Sequence, residues 1–401
     1  MEQLGILYYV DSFPKLSESF VLNEISELTR RGHEVAVFAL KDPGERTTHE
    51  EYEDLDVPVY YGNVSYTDFS DLFSRKTLRM ATEHVTGGLF TRLSSKQVGH
   101  NLLLGRRCSE FIELLEFNID IIHGHFANPS RIGEMLAARH HDIPCTVTAH
   151  AVEIFKKPNV SRIRYICDGM DHVIVPSEYN RRYLREEIGV QNGITVVPAT
   201  SRVEKFEPSE PTIENRLLTV ARLVEKKGYP FAIEAVNHLV EQGYDIEYHI
   251  IGSGDQEEQL QQKVKKHGVE DHVEFLGHVS DETLRRELSE ACVFLLPCIV
   301  AEDGDRDAMP VALKEAMASE TACVSTTVSA IPELITSGHD GLLVSPRRSG
   351  ELATAVQDLL EDAETRRKIA QNGRDTVHTK FDISDSVDTL LEVLESCVCS
   401  S

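Results

Sequence analysis

Short, uninterrupted apolar runs alternate with stretches of helical periodicity along this chain, and the whole alternation occurs twice. Leu4 to Val10 is a run of the kind that a strand buried on both faces requires. It leads into a helix with Phe20, Val21, Ile25 and Leu28 on one face, stopped near Gly32. Further strands are predicted at Glu34 to Leu40, Asp120 to Phe126, Pro144 to Ala149, His172 to Pro176 and Ile194 to Pro198, with helices such as Glu178 to Ile188 between them. The second half restarts with strands at Leu217 to Ala221, Glu247 to Ile251, Val273 to Leu276, Cys292 to Pro297, Ala322 to Ser325 and Gly341 to Val344. Its helices are expected at Phe231 to Gln242, Gln256 to Lys266, Glu282 to Ala291 and Val311 to Ser319. This order predicts an α/β protein of two doubly wound, Rossmann-like parallel-sheet domains facing a cleft. The expected division is an N-terminal domain over 1–200, a linker over 201–215 around the Pro/Glu-rich Lys205 to Thr212, and a second domain over 216–380. A C-terminal helix and tail over 381–401 is expected to pack back on the N-terminal domain.

Charge narrows the classes of partner. The 401 residues hold 41 Lys and Arg against 66 Asp and Glu, a formal charge of −25, which repels DNA, RNA and anionic lipid and argues against a nucleic-acid binder. Arg outnumbers Lys 26 to 15, a balance that suits either the acidic proteome of a high-salt cytoplasm or an ordinary acidic protein. No apolar run approaches the roughly 18 residues needed to span a bilayer, and the first ten residues lack the basic start of a signal peptide. A cytoplasmic location is expected. The eight cysteines form no Cys-Xaa-Xaa-Cys pair and read as small core residues, with Cys397 and Cys399 in a frayed tail. The stretch 68–116 breaks the alternation and gathers Arg75, Lys76, Arg79, Arg92, Lys96, Arg106 and Arg107. It is either a contact for an anionic or lipid-linked partner, peripheral on the inner face of the cell membrane, or a set of solvated helix faces.

Ligands of open parallel sheets bind beyond the carboxyl ends of the strands. Three such ends in the second half carry candidate chemistry. Arg222 and Lys227 lie in one loop between a strand and a helix, where two cations and free helix amides suit a phosphate. Gly252-Ser253-Gly254 ends the next strand in a turn that admits close backbone approach. Asp307 to Glu315 follows an acidic loop, with Pro310 at the helix start and Glu315 more than a turn inside it. Phe275-Leu276-Gly277, Glu315-Ala316-Met317-Ala318, Pro332-Glu333 and Gly341-Leu342-Leu343-Val344 complete an ordered series. With Phe13-Pro14-Lys15-Leu16-Ser17-Glu18-Ser19-Phe20, Gly32-His33-Glu34-Val35 and Thr148-Ala149-His150 in the first half, this series resembles the retaining glycosyltransferases of family 4. Those enzymes have the GT-B fold, and the similarity is nearest to members that build exopolysaccharide and lipid-linked glycans.

The resemblance implies a hexosyltransferase-type enzyme that moves a sugar from a nucleotide-diphosphate sugar to a glycan or lipid-linked acceptor, with no cofactor and no metal. Arg222 and Lys227 would neutralise the diphosphate, and Glu315 would accept from the ribose hydroxyls. The glycine turn at Gly252 would approach the donor, and the backbone around Gly277 to Val279 would lie beside the base. Asp307, with the backbone of Ala308, Met309 and Pro310, would face the transferred sugar. His150, from the first domain, would reach that sugar as the other catalytic group, and Ser17 and Ser19 would sit near the phosphates or acceptor. Activity should depend on salt, with high salt helping.

This sequence departs from the family pattern at several points. Asp307 stands where the family has the first Glu of Glu-Xaa7-Glu, and Pro198-Ala-Thr-Ser-Arg202 replaces Pro-Asn-Gly-hydrophobic-Asp. Glu320 and the pair Ser329-Ala330 replace glycines. These departures favour the alternative of a non-catalytic sugar-binding partner subunit; a third reading is a sugar-nucleotide epimerase on the same fold, which would form product from the donor alone. Asp303-Gly304-Asp305 and Asp305-Arg306-Asp307 look like the metal ligands of the other main glycosyltransferase fold, and His123-Gly124-His125 could ligate zinc. Cleft lining is the preferred reading of the histidine pair.

Overall fold

The computed structural model describes residues 3–44, 52, 55–84, 93–200, 202–208 and 212–400. Met1, Arg92 of the basic stretch, Ser201 and the linker residues Ser209 to Pro211 lie outside the described residues. The chain forms two compact units, one of Met1–Pro198 with Ser386–Ser401 and the other of Ala199–Asp385.

The first unit holds a seven-stranded sheet built from β1 (Gly5–Ser12), β2 (Glu34–Lys41), β3 (Val59–Tyr61), β4 (Ile121–His125), β5 (Cys145–Thr148), β6 (His172–Val175) and β7 (Ile194–Val196). Its order is β3-β2-β1-β4-β5-β6-β7, every pair is parallel, and the winding reverses between β1 and β4. Six of these strands sit where the apolar runs predict them. The seventh, β3, has three residues and leaves Tyr60 exposed, too short a stretch to print a period. From Ile6 to Tyr9 the central strand has no measurable exposure, because helices cover both faces of the sheet. Each fully buried aliphatic side chain of this kind contributes roughly 1.5–3 kcal/mol.

The second unit repeats the plan with β8 (Ile213–Val220), β9 (Glu247–Ile251), β10 (Val273–Gly277), β11 (Ala291–Leu296), β12 (Ala322–Thr326) and β13 (Leu342–Val344). The order is β10-β9-β8-β11-β12-β13, so β8 is the strand from which the chain winds both ways. It begins at Ile213, inside the stretch expected as linker.

Two local expectations change. The helix predicted over Glu178 to Ile188 is α-helical only to Tyr183 and continues as a π-helix from Leu184 to Ile188. The tail is not frayed. Ile383–Ser400 is a helix with Leu390, Leu391 and Leu394 fully buried, and it closes the first unit through an Arg31–Asp388 ion pair. Cys397 is buried in that helix and only Cys399 is exposed, because the apolar positions recur at helical spacing up to the end of the helix. The remaining six cysteines are buried and free. No helix among the described residues is long and apolar enough to cross a membrane.

At two of the three glycine replacements the backbone keeps the conformation that glycine favours, whereas Ala330 has an ordinary φ of −94°. Glu320 has φ +57° and Ser329 φ +51°, both left-handed. Ser329 also carries a buried hydroxyl with no partner among the described residues. Ser329→Gly should therefore raise stability by about 1 kcal/mol, as strain and an unmade hydrogen bond are removed together. Urea midpoints of the two proteins measure the difference, and an unchanged or lower midpoint would contradict the strain.

Candidate active site

In the second unit the site is built at the carboxyl ends of β8 and β11. The chain leaves β8 through Arg222, makes one 3-10 turn over Glu225–Lys227, and enters the helix Tyr229–Glu241 through Gly228. Gly228 has φ +72°, and a Cβ there would stand 1.9 Å from the Pro297 carbonyl oxygen, so only glycine lets this turn pack on the exit from β11. Across that contact the Ile299 amide donates to the Lys226 carbonyl (2.9 Å). The loop from Pro297 to Pro310 is thus laid along the lysine turn, and it delivers two carboxylates.

Lys226 is buried, and its Nζ lies 3.1 Å from Asp305 Oδ1 and 3.3 Å from Asp307 Oδ1. Lys227 Nζ lies 2.7 Å from Asp307 Oδ2. Burial alone would raise the Asp307 pKa, but Lys227 and Lys226 hold its carboxyl well below the usual carboxylate range. Burial would likewise lower Lys226, and Asp307 with Asp305 raise it instead. The same geometry charges both partners. Cys298 Sγ approaches Asp307 Oδ2 at 3.6 Å, and burial pushes its thiol far up, so it stays protonated.

The predicted residues divide accordingly. Lys227 and Asp307 come together as an ion pair, and Arg222 is exposed in the same turn with no carboxylate partner among the described residues. Ala308 and Met309 are buried beside Asp307 and can offer amide hydrogens, whereas Pro310 has none to offer and starts the helix Val311–Ala318. Glu315 is half-buried in that helix. Gly252 and Gly277 lie at the ends of adjacent strands, and the Gly252 amide donates to the Gly277 carbonyl (2.8 Å). Val279 follows His278, whose Nε2 is 2.7 Å from Ser253 Oγ.

Lys226, Asp305 and Lys314 are absent from the predicted set. Lys226 and Asp305 are 79 positions apart, and no local pattern joins them. Lys314 is fully buried; it donates to the Ala199 carbonyl (2.5 Å) and stands 4.8 Å over the Phe381 ring. A helix lysine beside Glu315 reads from sequence as a solvated residue. Burial pushes its pKa down to about 7, with Glu315 opposing.

In the first unit the candidates stand at the β1–β4 reversal. His150 follows β5, buried between Phe20 and Phe126 with ring centroids 4.7 and 4.6 Å away. Its amide donates to Glu153 Oε1 (2.6 Å), and Asn180 Nδ2 donates to its carbonyl (3.1 Å). Ser17 is exposed in the 3-10 turn Leu16–Glu18, and Ser19 is half-buried at the start of the helix Ser19–Arg30. His123 and His125 are buried on β4 and face Glu24, which lies one turn beyond Phe20 on that helix. Glu24, His123 and His125 place ligand atoms within 4.8 Å of one another, a set that could hold a metal ion, although each of the three already has hydrogen-bond partners. In the basic stretch, Lys76 pairs with Glu113, Arg106 with Glu110 and Asp71, and Arg107 with Asp68, which supports the reading as solvated, self-neutralised helix faces.

Known proteins share this organisation. The family model described as Glycosyltransferase Family 4 matches residues 17–199, and that described as Glycosyl transferases group 1 matches 200–376. WcaL of Salmonella typhimurium, named as a colanic acid biosynthesis glycosyltransferase, is 29% identical over 98% of this chain and 100% of its own length. The amylovoran biosynthesis glycosyltransferase AmsK of Erwinia amylovora is 41% identical over 45% of this chain and 44% of its own. Anabaena Alr3699/HepE, solved with UDP-glucose, superposes with TM-score 0.76 over 98% of this chain and 99% of its own at 17% identity, which speaks to the fold.

The depressed Lys314 pKa has a consequence for stability. The native state gives up this proton near pH 7 and the unfolded chain near 10.4, so between those values the unfolded state binds more protons and stability rises with pH. Measured against Lys314→Met, wild-type stability should climb between pH 7 and 9, with a slope approaching about 1.4 kcal/mol per pH unit. Parallel stability curves for the two proteins over that range would show Lys314 to be unshifted.

Proposed function

The chain belongs to glycosyltransferase family 4, and from that premise we propose how it holds its donor and which groups carry the transfer. The observation that carries the reading is a carboxylate, Asp307, held ionised between two lysines at the carboxyl end of a central strand. The exposed Arg222 and the Lys227 ammonium would take the donor diphosphate, neutralising charge that grows as the glycosidic bond breaks. Lys227 would then exchange Asp307 for phosphate oxygens, while the buried Lys226 keeps Asp307 in place. This offers an account of the shortened side chain: an Asp carboxylate set by Lys226 and Asp305 stands in for a Glu.

Asp307 would face the transferred sugar together with the Ala308 and Met309 amides. Glu315 would bind the ribose hydroxyls, the Gly252 turn would approach the donor, and Gly277 to Val279 would border the base. His150 is the proposed catalytic group of the first unit, with Ser17 and Ser19 on the phosphate or acceptor side. The acceptor is a glycan or lipid-linked saccharide of exopolysaccharide assembly, a reading supported by the names of WcaL and AmsK.

A thermal-shift screen of UDP, GDP, ADP and common sugar nucleotides, in low and high salt, tests the donor site. One nucleotide diphosphate should stabilise the protein, and Arg222→Ala should erase the shift. Asp307→Asn should abolish transfer, by at least about a hundredfold, while leaving nucleotide binding in place. Transfer by Asp307→Asn at wild-type rate would sink the assignment.

A further inference from the structure

A chain of buried hydrogen bonds runs through the first unit and ends on His150. Strand register sets its members in rows: Tyr8 of β1 opposes His123 of β4, His123 opposes Thr146 of β5, and His125 opposes Thr148. The helix Ser19–Arg30 lies over this face and brings Glu24 to it. Glu24 Oε1 is 2.6 Å from the Tyr8 hydroxyl and 3.3 Å from His125 Nε2. His125 Nδ1 is 3.0 Å from His150 Nε2, and the two rings are inclined by only 18°. His123 flanks this line, its two nitrogens engaged by Thr146 Oγ1 (2.8 Å) and Thr148 Oγ1 (3.1 Å) and its Nε2 3.6 Å from Glu24 Oε1.

The direction of each hydrogen bond follows from the chemistry of the first. Burial, reinforced by Glu24, holds the Tyr8 phenol protonated, so Tyr8 donates and Glu24 Oε1 accepts. Burial raises the Glu24 pKa, with His123 and the Tyr8 hydrogen bond opposing it, and as a carboxylate the same oxygen accepts again, so His125 presents its proton on Nε2. Burial, then Arg131, pushes the His125 pKa down to about 3, so this imidazole is neutral and has no second proton. His125 Nδ1 is therefore an acceptor, and His150 must donate to it from Nε2. Burial, then His125, holds His150 well below the ordinary histidine range as well. Its one proton is spent, and Nδ1 is left with a lone pair and no partner among the described residues.

We infer that Glu24 and His125 are positioning residues that fix His150 as its Nε2–H tautomer, so that Nδ1 meets a hydroxyl of the sugar or acceptor as a hydrogen-bond acceptor only. The inference rests on the reading of His150 as a catalytic group and sharpens it, since this His150 cannot donate a proton to a leaving group through Nδ1. Without the Glu24 acceptor, His125 is free to carry its proton on Nδ1. His150 Nε2 must then accept, and its own proton moves to Nδ1, the wrong polarity for the hydroxyl.

Long-range 1H–15N spectra of histidine-labelled protein test the tautomer without any substrate, with His150 assigned by its loss in His150→Asn. Wild type should show His150 Nε2 protonated and Nδ1 unprotonated. Glu24→Gln, which keeps an acceptor oxygen, should preserve that pattern. Glu24→Leu, or His125→Phe if the first variant does not fold, should invert or average it. With the sugar nucleotide chosen by the thermal-shift screen, Glu24→Leu and His125→Phe should lose at least about tenfold in kcat with KM within about twofold, while Glu24→Gln should keep the wild-type kcat. In a His150→Asn background, Glu24→Leu should cost nothing more. A protonated Nδ1 in the wild type, an unmoved pattern in both variants, or a full further loss in the His150→Asn background overturns the proposal. So does stoichiometric zinc in the purified protein, because Nε2 of His125 would then be a metal ligand. Full activity of His150→Asn would instead overturn the catalytic reading of His150 and leave the tautomer result to be judged by the spectra alone.

Discussion

A parallel sheet covered by helices on both faces has almost nowhere to put a polar side chain. Water reaches only the strand ends, and a charge placed elsewhere costs several kcal/mol unless it is paired. Both units obey this constraint, and most of their chemistry follows from it. In the second, four charged side chains meet where β8 and β11 run out, and the buried Lys226 stays charged because carboxylates are there to receive it. In the first, the polar residues Tyr8, His123, His125, Thr146 and Thr148 sit within the sheet, which is tolerable because each polar group has a partner.

Much of the architecture was legible beforehand for the same reason. A strand buried on both faces is mostly apolar, so every strand except the short edge strand β3 announces itself. Motif order then singled out Arg222, Lys227, Asp307, Glu315 and His150 as candidates. The unread part is of one kind. Lys226 finds Asp305, Tyr8 finds Glu24, and Glu24 finds His125 across 79, 16 and 101 positions, through contacts that exist only once the sheets are wound. Lys314 was hidden differently: nothing in a helical lysine says that its neighbours will bury it.

The departures from the family pattern also gain a physical meaning. Glu320 and Ser329 keep the left-handed backbone that glycine would adopt freely, so the fold holds these turns against the preference of the residues that occupy them. Where Asp replaces Glu, the surroundings instead compensate, since a buried lysine fixes the shorter carboxylate from behind.

The placement of the last helix bears on the order in which the molecule is made. The second unit is one continuous segment, Ala199–Asp385, and every strand of its sheet has been synthesised before residue 386 appears. The first unit lacks Leu390, Leu391, Leu394 and the Asp388 partner of Arg31 until residues beyond 386 have left the ribosome. The half that is translated first is thus the half that finishes folding last, and until then the seat of that helix stays open, with the apolar surface it will cover exposed.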